Sequence, residues 1–569
     1  CEDIGRRSLQ VHETSLDKPT FYRINESSHL EERYLKFNLQ ALLEVAVATC
    51  FSSGARHCSS FIPMGREASE PSLIHVIGTK ILKCKEGMNN KAFILTMDNG
   101  TEVLAKLPNP CAGPSFYTTA SEVATRIFLR EALDIPTPRI ITWSADQSNP
   151  VGAEYIIEEK AAGEPLGKFW KDLATLPMKD RMAIVDSILD IEKKLTSVNF
   201  AKSGCIYFRE NIPNSEPLQT NPPLSPEILN RFTMGPLVSK EFWSGQKAAM
   251  ELDRGPYEKP EQFVEAMAMN ERKFIEEHGT PRMNYHSSLI KPELPDEMLS
   301  LIDRYLQMAP AMVPSQLSED IDIRSPTLWH PDLHPGNIFV NPESKKISHV
   351  IDWQSASSLP FFYHSQVPAA IKHHGPTLTV LDDLDSWPER PQNYHSMSPD
   401  EKAYIDNAIG SEYLHKYYLS STRVKFPRRW AVLQKAAADE LKLRTEPAGW
   451  VQSTWSNNDT FFLRRALMGI ANRWGDLCPD AGPCPWVISE GELAVYEHER
   501  ETRGYVSTLL AYFKDNWDVS ADGCVETERF DEVRAEMKRM KGHFVGSADD
   551  EEEKELALKI WPYNEPTDT

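Results

Sequence analysis

At 569 residues, with 41% hydrophobic and 9% aromatic residues, the chain can bury more than one core, which excludes wholesale disorder. Its 62 Lys and Arg stand against 83 Asp and Glu, a net charge of −21, which argues against a nucleic-acid or anionic-membrane surface and mildly favours cationic small-molecule partners. The nine cysteines are scattered with no C-x-x-C pair and read as reduced thiols with no zinc site, and no apolar run reaches the roughly 18 residues of a transmembrane segment.

The first residue is Cys1, so the true start and any targeting peptide are expected ahead of it, and location is not readable from composition. Leu30, Tyr34, Phe37, Ala41 and Val45 lie on a helical stripe within residues 29–50, which predicts an N-terminal helical extension over 1–56. Strand texture begins at 57–64. Lys91–Met97 and Val103–Leu107 flank Asn99-Gly100, the signal of a tight hairpin. A helix is predicted over 119–133, stopped by Pro136 and Pro138, followed by strands over 139–143 and 154–157. Residues 57–160 therefore predict a small antiparallel-sheet lobe with one helix.

Beyond Gly163 the texture is mainly helical, predicting a larger lobe over 161–477 and a C-terminal helical extension over 478–569. Asp180–Val198 carries Ile184, Ile188, Ile191 and Leu195 on one side, as a core-facing helix does. Residues 209–227 read as a loop. "SPDE" at 398–401 combines an N-cap serine, a proline and a glutamate at capping-box spacing, which starts a helix running to about Leu419. The acidic run Asp549–Glu553 reads as a solvated helix start.

The chemistry concentrates in "LWHPDLHPGNIFV", residues 328–340. Asp332 and Asn337 lie five apart on one loop, and "VIDW" sets Asp352 at the end of an apolar strand. The intervening "IFVNPESKKISHVI" predicts a hairpin turning at Asn341–Lys345, which returns Asp352 close to Asn337. One free carboxylate plus an Asn/Asp oxygen pair is the set a kinase uses: a base for the acceptor hydroxyl and two ligands for the Mg²⁺ that bridges ATP phosphates. His330 reads first as a brace that hydrogen-bonds the loop, with a direct catalytic role as the second reading. His334 reads as a turn residue.

This segment resembles the catalytic segment of the aminoglycoside phosphotransferase family, H-x-D-x-x-x-x-N followed by I-D-W, a relative of protein and choline kinases. His330, Asp332 and Asn337 match the first element, and Asp352 with Trp353 matches the second. The resemblance implies a bilobal protein-kinase-like α+β fold with its catalytic loop at 328–353, ATP and Mg²⁺ as cofactors, Asp332 as catalytic base, and Asn337 and Asp352 as metal ligands. It also implies an ATP lysine and a helix glutamate from the small lobe. Lys106 in "VLAKL" and Glu122 fill those places, with a Thr119–Glu122 capping box as the competing reading. The strand in "AEYIIEEKAAG" leads into a hinge whose backbone at Glu159 to Ala161 is expected to face adenine, and Glu158 has no role in that pattern.

Longer stretches, among them "LTMDNGTEVLAKLPNP", "IDWQSASSLPFF" and "FFLRRALMGIANRW", resemble a fungal branch named for altered inheritance of mitochondria protein 9, which implies a mitochondrial association. Its phosphate loop is matched by Glu86–Lys91, with Gly87 and Asn90 as the expected contacts, but Met88 replaces a glycine. Residues 65–85 separate the first strand from that loop and are expected to be foreign to the fold, as a surface insertion or an intron translated in frame. Two functions follow. The first is an ATP-dependent phosphotransferase acting on a hydroxyl of a small molecule, and the second is a catalytically impaired kinase-fold nucleotide-binding or scaffold protein.

Overall fold

The computed structural model describes residues 21–22, 33–52, 80–84, 89–97, 99–170, 176–315, 321–521, 523, 525–526 and 529–563. They belong to two compact units, one of residues 33–277 with 301–485, the other of residues 1–32, 278–300 and 486–569.

The first unit is mixed α+β, with an antiparallel sheet followed by a helical part. Helix α1 (Leu39–Ser52) precedes strands β1 (Lys80–Lys83), β2 (Asn90–Thr96) and β3 (Glu102–Pro108). Helix α2 (Tyr117–Leu133) follows, then β4 (Ile140–Ser144) and β5 (Tyr155–Glu159). The five strands are antiparallel in the order β1-β2-β3-β5-β4. In β3 the period of two puts Val103, Ala105 and Leu107 on one face and Leu104 and Lys106 on the other. Leu42 and Ala46 of α1, both fully buried, seal the first face together with Leu95, Ala105, Leu107 and Ile157. A buried leucine of this kind contributes about 1.5–3 kcal/mol.

Two expected boundaries are corrected here. The N-terminal helix begins at Leu39 and belongs to the sheet's own core rather than to a separate extension over 1–56, because an apolar sheet face needs a cover. Lys80–Lys83, expected inside a foreign segment over 65–85, is the edge strand β1, paired residue for residue with β2 from Lys80↔Thr96 to Lys83↔Phe93. Residues 65–79 and 85 lie outside the described residues, as does the strand expected over 57–64.

The Asn99-Gly100 hairpin closes as expected, with Gly100 at φ +81 and the Met97 N–H on Thr101 O at 2.8 Å. The start of α2 departs from the capping-box reading. Glu154 serves it instead, accepting the Phe116 N–H at 2.9 Å and the Thr119 hydroxyl at 2.6 Å, which leaves Glu122 free to point elsewhere.

The helical part is built around β6 (Glu164–Pro165), α3 (Met178–Leu195), β7 (Pro326–Trp329), β8 (Ile338–Val340), β9 (Ile347–Val350), β10 (Ser357–Pro360) and α4 (Pro399–Lys425). The predicted capping box is present at α4: the Ser398 hydroxyl accepts from the Glu401 N–H, and Glu401 accepts from the Ser398 N–H at 2.7 Å. Ile184, Ile188 and Leu195 of α3 pack with Leu414, Tyr418 and Leu419 of α4 around Ile338, Val340 and Trp353. Phe128 and Leu129 of α2 join the same core, so the helix carrying Glu122 is packed against the part carrying the catalytic loop.

In the second unit three helices, Glu490–Trp517, Phe530–Gly546 and Glu551–Ile560, pack around Phe513, Val533 and Trp561. The last begins at the predicted acidic run, with Asp550 accepting the Glu553 N–H at 2.8 Å. Among the described residues no helix is long and apolar enough to cross a membrane.

Candidate active site

The hairpin of β8 and β9 brings the Asp352 carboxylate to Asn337. Ile338 pairs with Val350, and one residue on the Ile351 N–H donates to Asn337 O at 2.9 Å, so Asp352 emerges beside Asn337. Asn341 forms the turn by accepting the Glu343 and Ser344 N–H groups on its side chain, each at 2.9 Å. Asn337 is buried and its amide nitrogen donates to Asp332 O at 2.9 Å, which fixes the amide so that Oδ1 takes no hydrogen bond from the described residues. Asp352 sits at φ +61, a left-handed conformation that costs a typical residue on the order of 1–3 kcal/mol and that Asp tolerates better than most.

His330 braces this loop rather than joining the chemistry. Its Nδ1 accepts the Asp332 N–H at 3.0 Å, which leaves Nε2 as the protonated nitrogen that donates to Ile351 O at 2.9 Å. Both nitrogens are committed to backbone. Its ring meets Trp353 edge-on at 4.5 Å, and burial pulls its pKa down to about 4. Asp332 itself has an exposed carboxylate, with His334 Nε2 3.7 Å from Oδ2, free to meet an incoming group.

Lys106 joins the lobes. Its Nζ donates to both Glu122 oxygens at 2.9 Å and to Asp352 Oδ1 at 3.0 Å, which uses all three ammonium protons. Burial opposes the charge, but Glu122 and then Asp352 outweigh it and hold the Lys106 pKa above its ordinary value. The Lys106 charge in turn holds Asp352 below the usual carboxylate range.

Two further members of this network went unread in the sequence. Arg126, one helical turn after Glu122, lies 3.6 Å from it and is bonded to Glu158, while its Nη2 donates to Pro138 O at 3.0 Å. Glu122, Arg126 and Glu158 are 2%, 2% and 4% exposed, so each is a buried charge that requires its partner. The only local signal was the i,i+4 spacing of Glu122 and Arg126.

The remaining predicted contacts divide. The Asn90 amide donates to Gln354 Oε1 at 2.7 Å, and Gln354 donates on to Ala112 O at 3.1 Å, a brace from β2 to the residue two past Asp352. Gly87, with Met88, lies outside the described residues. The Glu159 side chain pairs with Arg139 at 2.8 Å near solvent, and its N–H goes to Arg139 O at 2.9 Å. Ala161 follows outside the strand, its backbone making no hydrogen bond with the described residues.

Among the described residues no cluster of three His, Cys, Asp or Glu is built for a metal. Asn337 Oδ1 and the Asp352 carboxylate are two adjacent hard oxygen donors, which fits Mg²⁺ completed by ligand phosphates and water rather than an all-protein cage.

Residues 80–363 match the phosphotransferase enzyme family, APH. A subtelomeric hrmA-associated cluster protein of Aspergillus fumigatus is 30% identical over 530 residues, covering 86% of this chain and 97% of the relative. Altered inheritance of mitochondria protein 9 of Yarrowia lipolytica is 22% identical over 440 residues, 74% of this chain and 71% of the relative. Among solved structures, macrolide 2′-phosphotransferase MphH of Brachybacterium faecium aligns over 76% of this chain and 97% of its own at 12% identity and a TM-score of 0.30. Those low values leave the assignment resting on the sequence matches. With the lysine, glutamate, catalytic-loop and I-D-W positions brought together as described, the chain belongs to the APH phosphotransferase enzyme family.

Proposed function

We propose that the chain transfers the γ-phosphoryl group of ATP to a hydroxyl of a small molecule. The observation that carries this reading is the contact of Lys106 with both Glu122 and Asp352, beside an Asn337 oxygen that no described residue occupies. Lys106 gives up its bond to Asp352 when nucleotide binds and turns that proton to a phosphate oxygen, with Glu122 holding its amine in place. Asn337 and Asp352 would hold Mg²⁺, which would neutralise the charge that develops on the transferred phosphoryl group. Asp332 accepts the proton of the acceptor hydroxyl, and the hinge backbone at Glu159 to Ala161 meets the base.

The test uses Asp352→Asn, because Asn tolerates the left-handed backbone at φ +61 where Ala is strained. In the wild type, adding Mg²⁺ to ATP raises Tm; in the variant the gain from Mg²⁺ disappears while the protein stays folded. An undiminished Mg²⁺ requirement in Asp352→Asn removes Asp352 from the metal site. The second reading, a scaffold that binds nucleotide without turnover, is favoured by Met88 in the sequence, where the resembled family's phosphate loop has a glycine whose missing side chain lets backbone N–H groups approach a phosphate. Nucleotide binding without any ATP consumption would support it.

The acceptor is read from a cavity of about 360 Å³ that includes Pro335 of the catalytic loop, with Trp170, Lys372, His374, Tyr404 and Asn407 in its wall. Among the described residues no carboxylate lines it. This wall supports a neutral or anionic hydroxyl compound with a face to lie on the aromatic rings, against the cationic partner suggested by net charge. With Mg-ATP present, anionic and neutral polyols are expected to raise Tm further and quaternary-ammonium alcohols to leave it unchanged; the reverse order restores the cationic reading. A mitochondrial location is supported by relatives of 22% to 25% identity, whose name carries it.

A further inference from the structure

Glu158 is a buried carboxylate on a strand where an apolar side chain would pack at least as well, since replacing a buried ion pair by hydrophobic residues is often neutral or stabilising. Its place in the sheet gives it another use. β3 and β5 pair with Lys106 opposite Ile156 and Leu104 opposite Glu158, and cross-strand partners share a face. Glu158 therefore stands on the same face as Lys106, the face that meets Asp352, and one residue before the hinge segment Glu159 to Ala161.

Its two oxygens are treated differently. Oε2 is bonded to Arg126, and Arg126 is itself fixed by Pro138 O at 3.0 Å and by Glu122 at 3.6 Å. Oε1 takes no hydrogen bond from any described residue and is not among the sealed, partnerless buried atoms. With Oε2 held by the guanidinium, Oε1 is left as a hydrogen-bond acceptor on the Lys106 face, one residue from the hinge.

We propose that Glu158 is the base-reading residue of the nucleotide site: Oε1 accepts a hydrogen bond from the exocyclic amino group of adenine and so selects adenine over guanine nucleotides. This rests on the phosphotransferase reading and adds to it a side-chain contact with the base, beyond the hinge backbone. The chemistry is directional. Adenine carries a donor at its 6-position and guanine an acceptor, O6, at the same place. A carboxylate opposite O6 sets two acceptors against each other, and a site built to hydrogen-bond one group rejects the analogue that lacks it. Arg126 acts through Glu158 and is a positioning residue.

The experiment measures binding of Mg-ATP, Mg-GTP, inosine triphosphate and purine riboside triphosphate, the last with hydrogen at the 6-position, by calorimetry on the full chain. A hydrogen bond to a charged group corresponds to a preference of about 10- to 100-fold for ATP over each of the other three in the wild type. Glu158→Gln, whose amide can donate to O6, is expected to bring GTP and inosine triphosphate to within a few-fold of ATP. Should that variant fail to fold, the apolar pair Arg126→Met with Glu158→Leu removes both charges together and is expected to lose the discrimination while keeping ATP binding. Equal binding of all four nucleotides by the wild type overturns the proposal, as does an undiminished preference for ATP in the folded variant, which would assign the selection to the hinge backbone alone. No binding of any nucleotide by the wild type overturns the phosphotransferase reading as well, so the two failures are distinct.

Discussion

Replacing Asp332 by Asn is expected to lower ATP turnover by about 10²–10⁴-fold, the usual contribution of a positioned general base, while the affinity for Mg-ATP changes by less than about twofold. The asymmetry comes from where the side chain points. The Asp332 side chain is 68% exposed and makes no contact with Lys106, Glu122 or Asp352, to which, with Asn337, the proposed function gives the phosphate and metal contacts. Its backbone, by contrast, is held from both sides: the N–H by His330 Nδ1 and the carbonyl by Asn337 Nδ2. Asn at this position keeps both backbone bonds and the size of the side chain and loses only the ability to accept a proton. Stopped-flow or steady-state ATP consumption alongside a calorimetric Kd separates the two quantities. Loss of nucleotide binding with turnover per bound ATP retained would move Asp332 out of the base position and into the nucleotide site.

The same loop shows what a linear sequence carries and what it does not. Asp332, Asn337 and Asp352 were legible together because a hairpin is local: the turn at Asn341 and the alternating strands on either side fix the register within about twenty residues. Lys106 and Glu122 were legible as positions in an ordered pattern, but their pairing competed with a capping box until Glu154, thirty-two residues beyond Glu122, was seen to cap the helix. Arg126 and Glu158 meet across 32 positions with no motif to join them, so the charge on β5 had no visible partner. The edge strand at Lys80–Lys83 was hidden for a different reason. It has only four residues at the end of the short apolar run LIHVIGTKIL, which does not alternate, and its limits are set by pairing with β2 rather than by its own composition. The second unit is assembled from residues 1–32, 278–300 and 486–569, three segments that no local pattern connects.

Acidification is expected to remove several kcal/mol of stability between pH 6.5 and pH 4.5, mostly through three histidines buried as neutral rings in the first unit. Burial pulls His330 and His415 down to about 4, and pulls His364, beside Arg429, down to about 3. Each ring is already committed as a neutral group. His330 Nδ1 accepts the Asp332 N–H, His415 Nδ1 accepts the His373 N–H at 3.1 Å, and His364 stacks on Trp329 at 4.9 Å. In the unfolded chain all three titrate near 6.5. A histidine whose pKa falls on folding contributes stability that is complete above the unfolded value and is lost as pH drops toward the folded value. At 1.36 kcal/mol per unit this is roughly 3 kcal/mol for His330 or His415 and somewhat more for His364, against a total stability of about 5–15 kcal/mol for a domain. Glu158 and Glu192, both raised by burial, act in the opposite sense, since protonating them relieves a buried charge as pH falls. Each of those carboxylates has an arginine partner that limits its shift, Arg126 for Glu158 and Arg429 for Glu192, whereas the histidines have no carboxylate bonded to them, so the histidine contribution prevails. Protonated His330 would also present a donor at Nδ1 to the Asp332 N–H, so the catalytic loop should lose its brace, and turnover should fall, before the fold is lost. Urea unfolding at a series of pH values checks the slope, and His364→Gln, which removes one titrating ring, is expected to flatten it. A stability that stays level from pH 7 to pH 4.5 would mean that these rings take up protons in the folded chain as readily as in the unfolded one.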